Sequence, residues 1–128
     1  MPSIGRAMLT SLIAEQVQLE DRINDLRSSP SQTLVVGQAL LEFAAREDDA
    51  FGALSSLLDP AVQVEMKAEH EQIAEDLELL DWLLQTTPES PDVAVLTLSL
   101  IRRMRQHIDR DGRLLTRAAA FQPRNCEL

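Results

Sequence analysis

The chain has 128 residues, a length that suits one domain with a hydrophobic core of its own. Its 12 basic and 21 acidic residues give a net charge of −9, which argues against nucleic acid and anionic membrane surfaces as partners. The hydrophobic fraction is 45 % with only 4 glycines and 6 prolines, so the composition favours helices over disorder or a turn-rich sheet.

Three prolines inside the chain follow residue types that commonly cap the N-termini of helices. They form the pairs Ser29-Pro30, Asp59-Pro60 and Ser90-Pro91, and Pro2 has a similar place near the beginning. These starts lie about 30 residues apart, which leaves room for helices of about 25 residues joined by short loops. Short loops make consecutive helices antiparallel, and Pro123 is expected to end the last one.

Apolar residues in each predicted helix recur at alternating spacings of three and four, as in helices that pack into a bundle. The sequence therefore predicts an all-α fold, an antiparallel up-down-up-down four-helix bundle. It is expected to form one domain of residues 1–122 with a short polar tail at 123–128. Apart from five polar residues, the expected core-facing positions are Leu9, Leu12, Leu19, Ile23, Leu26, Val36, Leu40, Phe43, Ala50, Leu54, Leu57, Met66, Ile73, Leu77, Leu80, Leu84, Leu100, Met104, Leu114, Ala118 and Phe121.

The five polar residues at core-facing positions are Gln16, Glu47, His70, His107 and Asp111. Because alternate helices run in opposite directions, their distances from the helix starts place all five within a few turns of one height. A buried charge without a partner costs several kcal/mol, and pairing or a metal ion must offset that cost. We therefore expect these side chains to converge and to be paired, hydrated or arranged around a metal.

Helices 1 and 3 match each other in sequence, and so do helices 2 and 4. Gln16 in helix 1 occupies the place of His70 in helix 3, and Phe43 in helix 2 occupies the place of His107 in helix 4. Each half is thus a helix with one histidine position followed by a helix with His-x-x-x-acid, whose two donors lie one turn apart on one face. Two intact halves would form a dinuclear site.

The motifs around these residues resemble those of the hemerythrin-like, or HHE cation-binding, four-helix bundles over nearly the whole chain. Glu69-His70 looks like the family's third helix, His107-x-x-x-Asp111 looks like its fourth, and Glu47 keeps the acidic half of that motif in the second. The resemblance implies a hemerythrin-like bundle. It also implies a non-haem di-iron centre used for oxygen binding, oxygen or redox sensing, or iron handling.

Three positions depart from the family's pattern. Gln16 and Phe43 replace the histidines of the first and second helices, and Ala74 lies where oxygen carriers have a second helix 3 histidine. We therefore expect a hemerythrin-like protein with an incomplete metal site, with a role in metal, oxygen or redox sensing or regulation rather than oxygen transport. No nucleophile beside a histidine and no phosphate-binding loop is present in the sequence, so no enzymatic activity is predicted.

The expected ligands are His70, His107, Asp111 and Glu47, a nitrogen and oxygen set suited to one ion of iron, zinc or manganese. Gln16 is expected to add a carbonyl oxygen as a weak or supporting ligand. One ion is favoured over two, because dinuclear sites in bundles use more protein donors than remain here.

Two readings without metal remain open at the level of sequence. In the first, His107 pairs with Asp111 and His70 pairs with Glu47, so that the bundle is a metal-free protein-interaction module. In the second, the segment from His107 to Gly112 faintly resembles a histidine phosphotransfer motif. Phosphotransfer requires an exposed histidine, which the core-facing spacing argues against.

Location and partners are less strongly indicated. The lone Cys126 allows no internal disulfide, which favours a reducing compartment and hence the cytoplasm. Neither a membrane span nor a signal segment is apparent, so no membrane association is predicted. The single Trp82 lies off the core-facing pattern and is expected to pack at a helix edge or to contact a protein partner or a second copy of the chain.

Overall fold

The computed structural model describes the backbone of residues 2–53 and 59–121, and the side chains of residues 7–49 and 59–120. Four helices account for nearly all of it: α1 (Pro2–Asn24), α2 (Pro30–Ala53), α3 (Pro60–Thr86) and α4 (Pro91–Phe121). The described residues contain no strand. The prediction of an all-α, four-helix protein is confirmed.

The helix starts lie where the proline pairs predict them. Asp59 caps α3 with its carboxylate, which accepts a hydrogen bond from the amide of Ala61 at 2.9 Å. Ser29 Oγ accepts from the amide three residues later at 3.3 Å, and Ser90 Oγ from the amide two residues later at 3.2 Å. In each case a side-chain oxygen pairs one of the amides that the first turn of a helix leaves unpaired.

The helices are antiparallel neighbours arranged in the order of the chain. Between α3 and α4, Glu69 contacts His107 and Asp76 contacts Arg103. The residue numbers of the partners decrease along α4 as they increase along α3, which shows that the two helices are antiparallel. Both α1 and α3 pack against α2 and α4, and α2 also touches α4 across the centre of the bundle. The up-down-up-down arrangement follows from these contacts.

One apolar core runs through the bundle and draws on all four helices. The predicted core-facing positions are buried wherever side chains are described, with two exceptions. Leu83 is buried where Leu84 was expected, and Leu115 where Leu114 was expected, while the expected residues are only partly buried against the same core. A straight helix repeats every 3.6 residues rather than 3.5, so neighbouring residues exchange places at the border of the buried face.

Two buried polar residues were missed by the sequence analysis. Thr33 and Thr97 are fully buried, and each hydroxyl donates to the carbonyl four residues earlier, at 2.7 and 2.6 Å. Because these bonds are made within one helix, the two threonines behave as core residues. They need no partner across the bundle.

Several predictions concern residues outside the described part of the chain. They are the side chains of Ala50 and Phe121, the positions Leu54 and Leu57, Pro123 at the end of α4, Cys126, and the tail at 123–128 with the domain limit at 122. Trp82 is described and its side chain is 57 % exposed, so it is available for a contact with another molecule rather than packed into the bundle. None of the described helices combines the length and hydropathy that a membrane span requires.

Candidate metal centre

Four of the five predicted site residues meet inside the bundle. Glu47 comes from α2, His70 from α3, and His107 and Asp111 from α4, where they lie one turn apart. One donor atom from each residue lies within 4.8 Å of all the others. Within the described side chains, this is the one group of three or more histidines, cysteines and carboxylates with such proximity.

The cluster is enclosed by protein. Glu47 and Asp111 are fully buried, and the exposed fractions of His107 and His70 are 2 % and 8 %. The two imidazole rings meet edge to face, with their centroids 4.6 Å apart and their planes at 75°. His107 Nε2 lies 3.0 Å from Asp111 Oδ2.

Most of the polar atoms of the cluster have no hydrogen-bond partner in the protein. These atoms are both carboxylate oxygens of Glu47, both ring nitrogens of His70, Nε2 of His107 and both carboxylate oxygens of Asp111. The approach of His107 to Asp111 is close but not aligned as a hydrogen bond. His70 and Glu47 form no hydrogen bond with each other, so the pairing that the metal-free alternative requires is absent from these described residues. The separate helices place the donors around a shared centre instead of aiming them at one another.

Burial and mutual repulsion shift the protonation of the cluster. Burial, followed by the neighbouring Asp111 carboxylate, raises the pKa of Glu47 to about 11. Burial alone lowers the pKa of His107, but Asp111 and Glu69 more than offset it, so the pKa of His107 lies above its usual value. Burial and the nearby His107 lower the pKa of His70. In the metal-free protein, protons therefore neutralise charge that a cation would otherwise neutralise.

Gln16 is buried near the cluster but is held by other groups. Its amide nitrogen donates to the carbonyl oxygen of Ile108 at 3.1 Å and to Glu20 Oε2 at 2.8 Å. The side chain also packs closely on Gly112, the residue after Asp111. These contacts connect α1 to the helix that supplies two of the four clustered residues. A ligand role for Gln16 stays a prediction.

Two positions that the sequence resemblance marked as departures from a histidine are apolar in the structure. Phe43 is fully buried and belongs to the hydrophobic core, and Ala74 is partly buried. Neither offers a donor atom, so the cluster that could hold a metal ion consists of Glu47, His70, His107 and Asp111 among the described residues.

Residues that the sequence analysis did not assign surround the cluster. Glu69 Oε2 lies 2.7 Å from His107 Nδ1, and the other oxygen of Glu69 accepts from Arg110 at 2.8 Å. Asp48 has Oδ2 at 3.7 Å from His70 Nδ1. The signal for these partners was the presence of opposite charges at half-exposed positions of neighbouring helices.

A surface cleft borders one member of the cluster, His107. A cleft of about 320 Å³ between α3 and α4 is bordered by Ala68, Glu69, Gln72, Arg103, Gln106 and His107. A second cleft of about 350 Å³ lies between α1 and α2 beside Leu26 and Val36, where no member of the cluster borders it. The chemistry of the donors, not cavity size, therefore marks the candidate site.

Comparison with known proteins adds no assignment, since no family model, no curated protein and no solved structure matches the chain.

Proposed function

We propose that this protein binds one divalent transition-metal ion through Glu47, His70, His107 and Asp111, as an incomplete hemerythrin-like centre that senses a metal or redox signal. The observation that carries the proposal is the group of seven buried polar atoms without hydrogen-bond partners on these four residues. An unpaired buried polar group costs about 1–3 kcal/mol, and more when it is charged. A cation at the shared centre would satisfy all four residues at once.

The donor set matches the preferences of such ions. Two imidazole nitrogens and two carboxylate oxygens suit zinc, iron(II), cobalt(II) and manganese(II). In a tetrahedral site with bonds of about 2.1 Å, ligand atoms lie about 3.4 Å apart. The donor atoms here lie within 4.8 Å of one another, so side-chain movements of about 1 Å bring them to that separation.

The charge of the cluster also favours a cation. Two carboxylates share the site with two imidazoles, and burial, followed by the neighbouring Asp111, raises the pKa of Glu47, so the negative charge of Glu47 is disfavoured there without a counter-ion. A divalent ion neutralises both carboxylates and displaces the proton of Glu47. Binding should therefore release protons and tighten as the pH rises.

A sensing role fits the way in which the helices supply the ligands. The four residues come from α2, α3 and α4, and Gln16 links α1 to α4 beside them. When bound, the ion supplies positive charge and, if it is iron, a reversible change of oxidation state. Because three helices contribute ligands, binding or loss of the ion changes how tightly those helices are held together. A change in helix packing is a signal that a protein partner can read.

The alternatives have less support. Histidine phosphotransfer needs an exposed ring, and the side chains of His107 and His70 are only 1 % and 9 % exposed. A metal-free interaction module does not account for the burial of the four clustered polar residues, although the exposed Trp82 is suited to a protein contact. Cytoplasmic location is part of the same proposal, and iron and zinc are both candidate ions.

Equilibrium titration tests the proposal. Metal-free protein is titrated with cobalt(II), whose absorption reports coordination, and then with zinc(II) and with iron(II) under anaerobic conditions. We expect one ion per chain for the wild type and a loss of at least about 100-fold in affinity for Glu47→Gln or His107→Gln. Glu42→Gln is the matched control, because Glu42 lies exposed on the same helix as Glu47. A stoichiometry below about 0.1 per chain for every metal would contradict the proposal.

A further inference from the structure

A second layer of polar side chains supports one of the two clustered histidines. His107 Nδ1 lies 2.7 Å from Glu69 Oε2. The other oxygen of Glu69 accepts from Arg110 Nη1 at 2.8 Å, and Arg110 Nη2 donates to Glu65 Oε2 at 2.6 Å. The four residues form a chain across the α3–α4 interface that ends on the ring of His107.

We propose that Glu69 is a positioning residue of the metal centre. It accepts the Nδ1 proton of His107 and thereby fixes Nε2 as the atom that faces the ion, while Arg110 holds Glu69 in place. The inference rests on the proposed metal-binding function, because it assigns the residue that prepares one of its ligands.

The chemistry of the ring supports this assignment. A neutral imidazole carries its proton on one nitrogen and its lone pair on the other, and an ionised carboxylate can only accept. Glu69 gives Nδ1 a proton acceptor at 2.7 Å. An ion bound at Nε2 needs the lone pair of that nitrogen, so the ring that binds it carries its one proton on Nδ1, facing Glu69. Nε2 lies 3.0 Å from Asp111 Oδ2, on the side of the cluster. The lone pair thus lies where the other donors converge.

Arg110 makes the arrangement specific. Because its guanidinium occupies Oε1 of Glu69, Oε2 is left to accept from the ring. Arg110 follows His107 by three residues on α4, so ring and guanidinium lie on neighbouring faces of one helix and can contact the same carboxylate. The two bonds to Glu69 fix the height of α4 relative to α3.

His70 lacks a comparable support. Its Nδ1 lies 3.7 Å from Asp48 Oδ2, too far for a hydrogen bond, and neither ring nitrogen has a hydrogen-bond partner. The two histidines therefore differ in whether a hydrogen bond fixes the orientation of the ring before the ion binds. His107 is the ligand with a fixed donor atom, and His70 adopts its donor orientation when the ion binds.

A matched control lies one heptad away on the same interface. Asp76 follows Glu69 by seven residues, and its partner Arg103 precedes Arg110 by seven, but this pair touches no histidine. Glu69→Ala and Asp76→Ala each remove one carboxylate from an α3–α4 ion pair. Glu69 has a side chain that is 35 % exposed, so its truncation opens no closed cavity and the variant should fold.

The experiment compares zinc(II) affinity and the ring protonation of His107 in the two variants. We expect Glu69→Ala to weaken zinc binding by about 10–100-fold and Asp76→Ala by less than about twofold, with similar melting temperatures for both. Nitrogen-15 NMR of the neutral His107 ring, recorded above its raised pKa, should show the proton moving from Nδ1 toward Nε2 in Glu69→Ala, where Asp111 is the remaining carboxylate acceptor. Glu69→Gln, whose amide oxygen still accepts, should restore the tautomer and most of the affinity.

The two proposals fail in different ways. If the wild type binds zinc and the two alanine variants bind it equally well, the positioning role of Glu69 is overturned while metal binding stands. If the wild type binds no metal, the proposed function fails. The positioning role, which rests on the metal centre, then falls with it. In a wild type that binds zinc, a metal-free His107 tautomer unchanged by Glu69→Ala overturns the inference, and a proton that moves toward Nε2 together with the loss of affinity supports it.

Discussion

The two halves of the bundle core are built from opposite chemistry, although the same four helices line both. The half near the α1–α2 and α3–α4 loops, here the apolar half, is dominated by closely packed aliphatic side chains, including Ile23, Leu40, Leu77, Leu80 and Leu100, each no more than 1 % exposed. Its buried polar residues, Thr33 and Thr97, are satisfied by hydrogen bonds to the carbonyls four residues earlier. The other half, here the polar half, is centred on Gln16, Glu47, His70, His107 and Asp111.

The two halves differ in what they contribute to the free energy of folding. Aliphatic burial stabilises the apolar half without any further partner. The polar half lowers the stability of the metal-free protein, because its buried groups have lost water and gained few hydrogen bonds. A bundle of this length can tolerate that loss when the apolar half is well packed. The polar half therefore contributes less to stability than the apolar half and contains the proposed metal site.

The largest expected effect contrasts truncation in the apolar half with apolar replacement in the polar half. Leu80→Ala should lower the free energy of unfolding by about 3–4 kcal/mol, because it leaves a cavity in a close-packed core. The double variant His70→Leu with Glu47→Leu should fold and lose no stability, or gain about 1–3 kcal/mol, since hydrophobic groups replace unpaired polar ones. Urea denaturation of the metal-free proteins measures both. A double variant as unstable as Leu80→Ala would contradict the contrast.

The next effect concerns Glu47 and pH. Its pKa is about 11 in the folded protein and 4.5 when unperturbed, so the folded state holds a proton that the unfolded state loses between those values. The metal-free wild type should lose stability from this group as the pH rises above 4.5, by at most about 1.4 kcal/mol per pH unit. Glu47→Gln holds no such proton.

The stability of Glu47→Gln should therefore equal that of the wild type near pH 4 and exceed it by about 2–3 kcal/mol at pH 7. Denaturation curves at a series of pH values, with Glu42→Gln as the exposed control, measure the difference. A constant difference across this pH range would show that Glu47 is ionised in the folded protein, contrary to the shift described above.

The smallest expected effects are the changes in stability on replacing either of two glycines at which helices approach closely. A Cβ at Gly37 would lie 2.5 Å from Leu77 Cδ2 in the apolar half, whereas one at Gly112 would lie 2.6 Å from Gln16 Nε2 in the polar half. Gly37→Ala should lower stability by about 1–2 kcal/mol, because the buried Leu77 has no room to move.

Gly112→Ala should change stability by less than about 1 kcal/mol, since the gain in helix propensity offsets the displacement of the Gln16 amide. Its zinc affinity should also change by less than about threefold if Gln16 serves to join α1 to α4. Isothermal titration and urea denaturation measure both quantities. A larger loss of affinity would support the prediction that Gln16 is itself a ligand.

Much of the fold could be predicted from the sequence because its signals are local. Proline after a capping residue determines where α2, α3 and α4 begin, and the 3.6-residue repeat selects the buried face of each helix. The burial of His70 and His107 followed from the same repeat. The exchange of Leu114 for Leu115 shows its limit, which is about one residue at the border of that face.

The surroundings of the site could not be predicted in the same way. Glu69 and Asp48 lie beside core-facing residues, and whether they turn inward depends on how each helix is rotated against its neighbour. Spacing within one helix carries no such information. For the same reason the sequence suggested that His70 pairs with Glu47, whereas rotation of α2 brings Glu47 beside Asp111 instead.

The most direct test of the metal centre is anomalous diffraction from crystals grown with zinc(II), recorded on both sides of the zinc absorption edge. We expect one peak per chain inside the bundle, with Nε2 of His107 and a nitrogen of His70 at about 2.0–2.1 Å and oxygens of Glu47 and Asp111 at about 2.0–2.2 Å. Anomalous density confined to surface carboxylates, with the two rings in contact only with protein atoms, would contradict a metal centre in this protein.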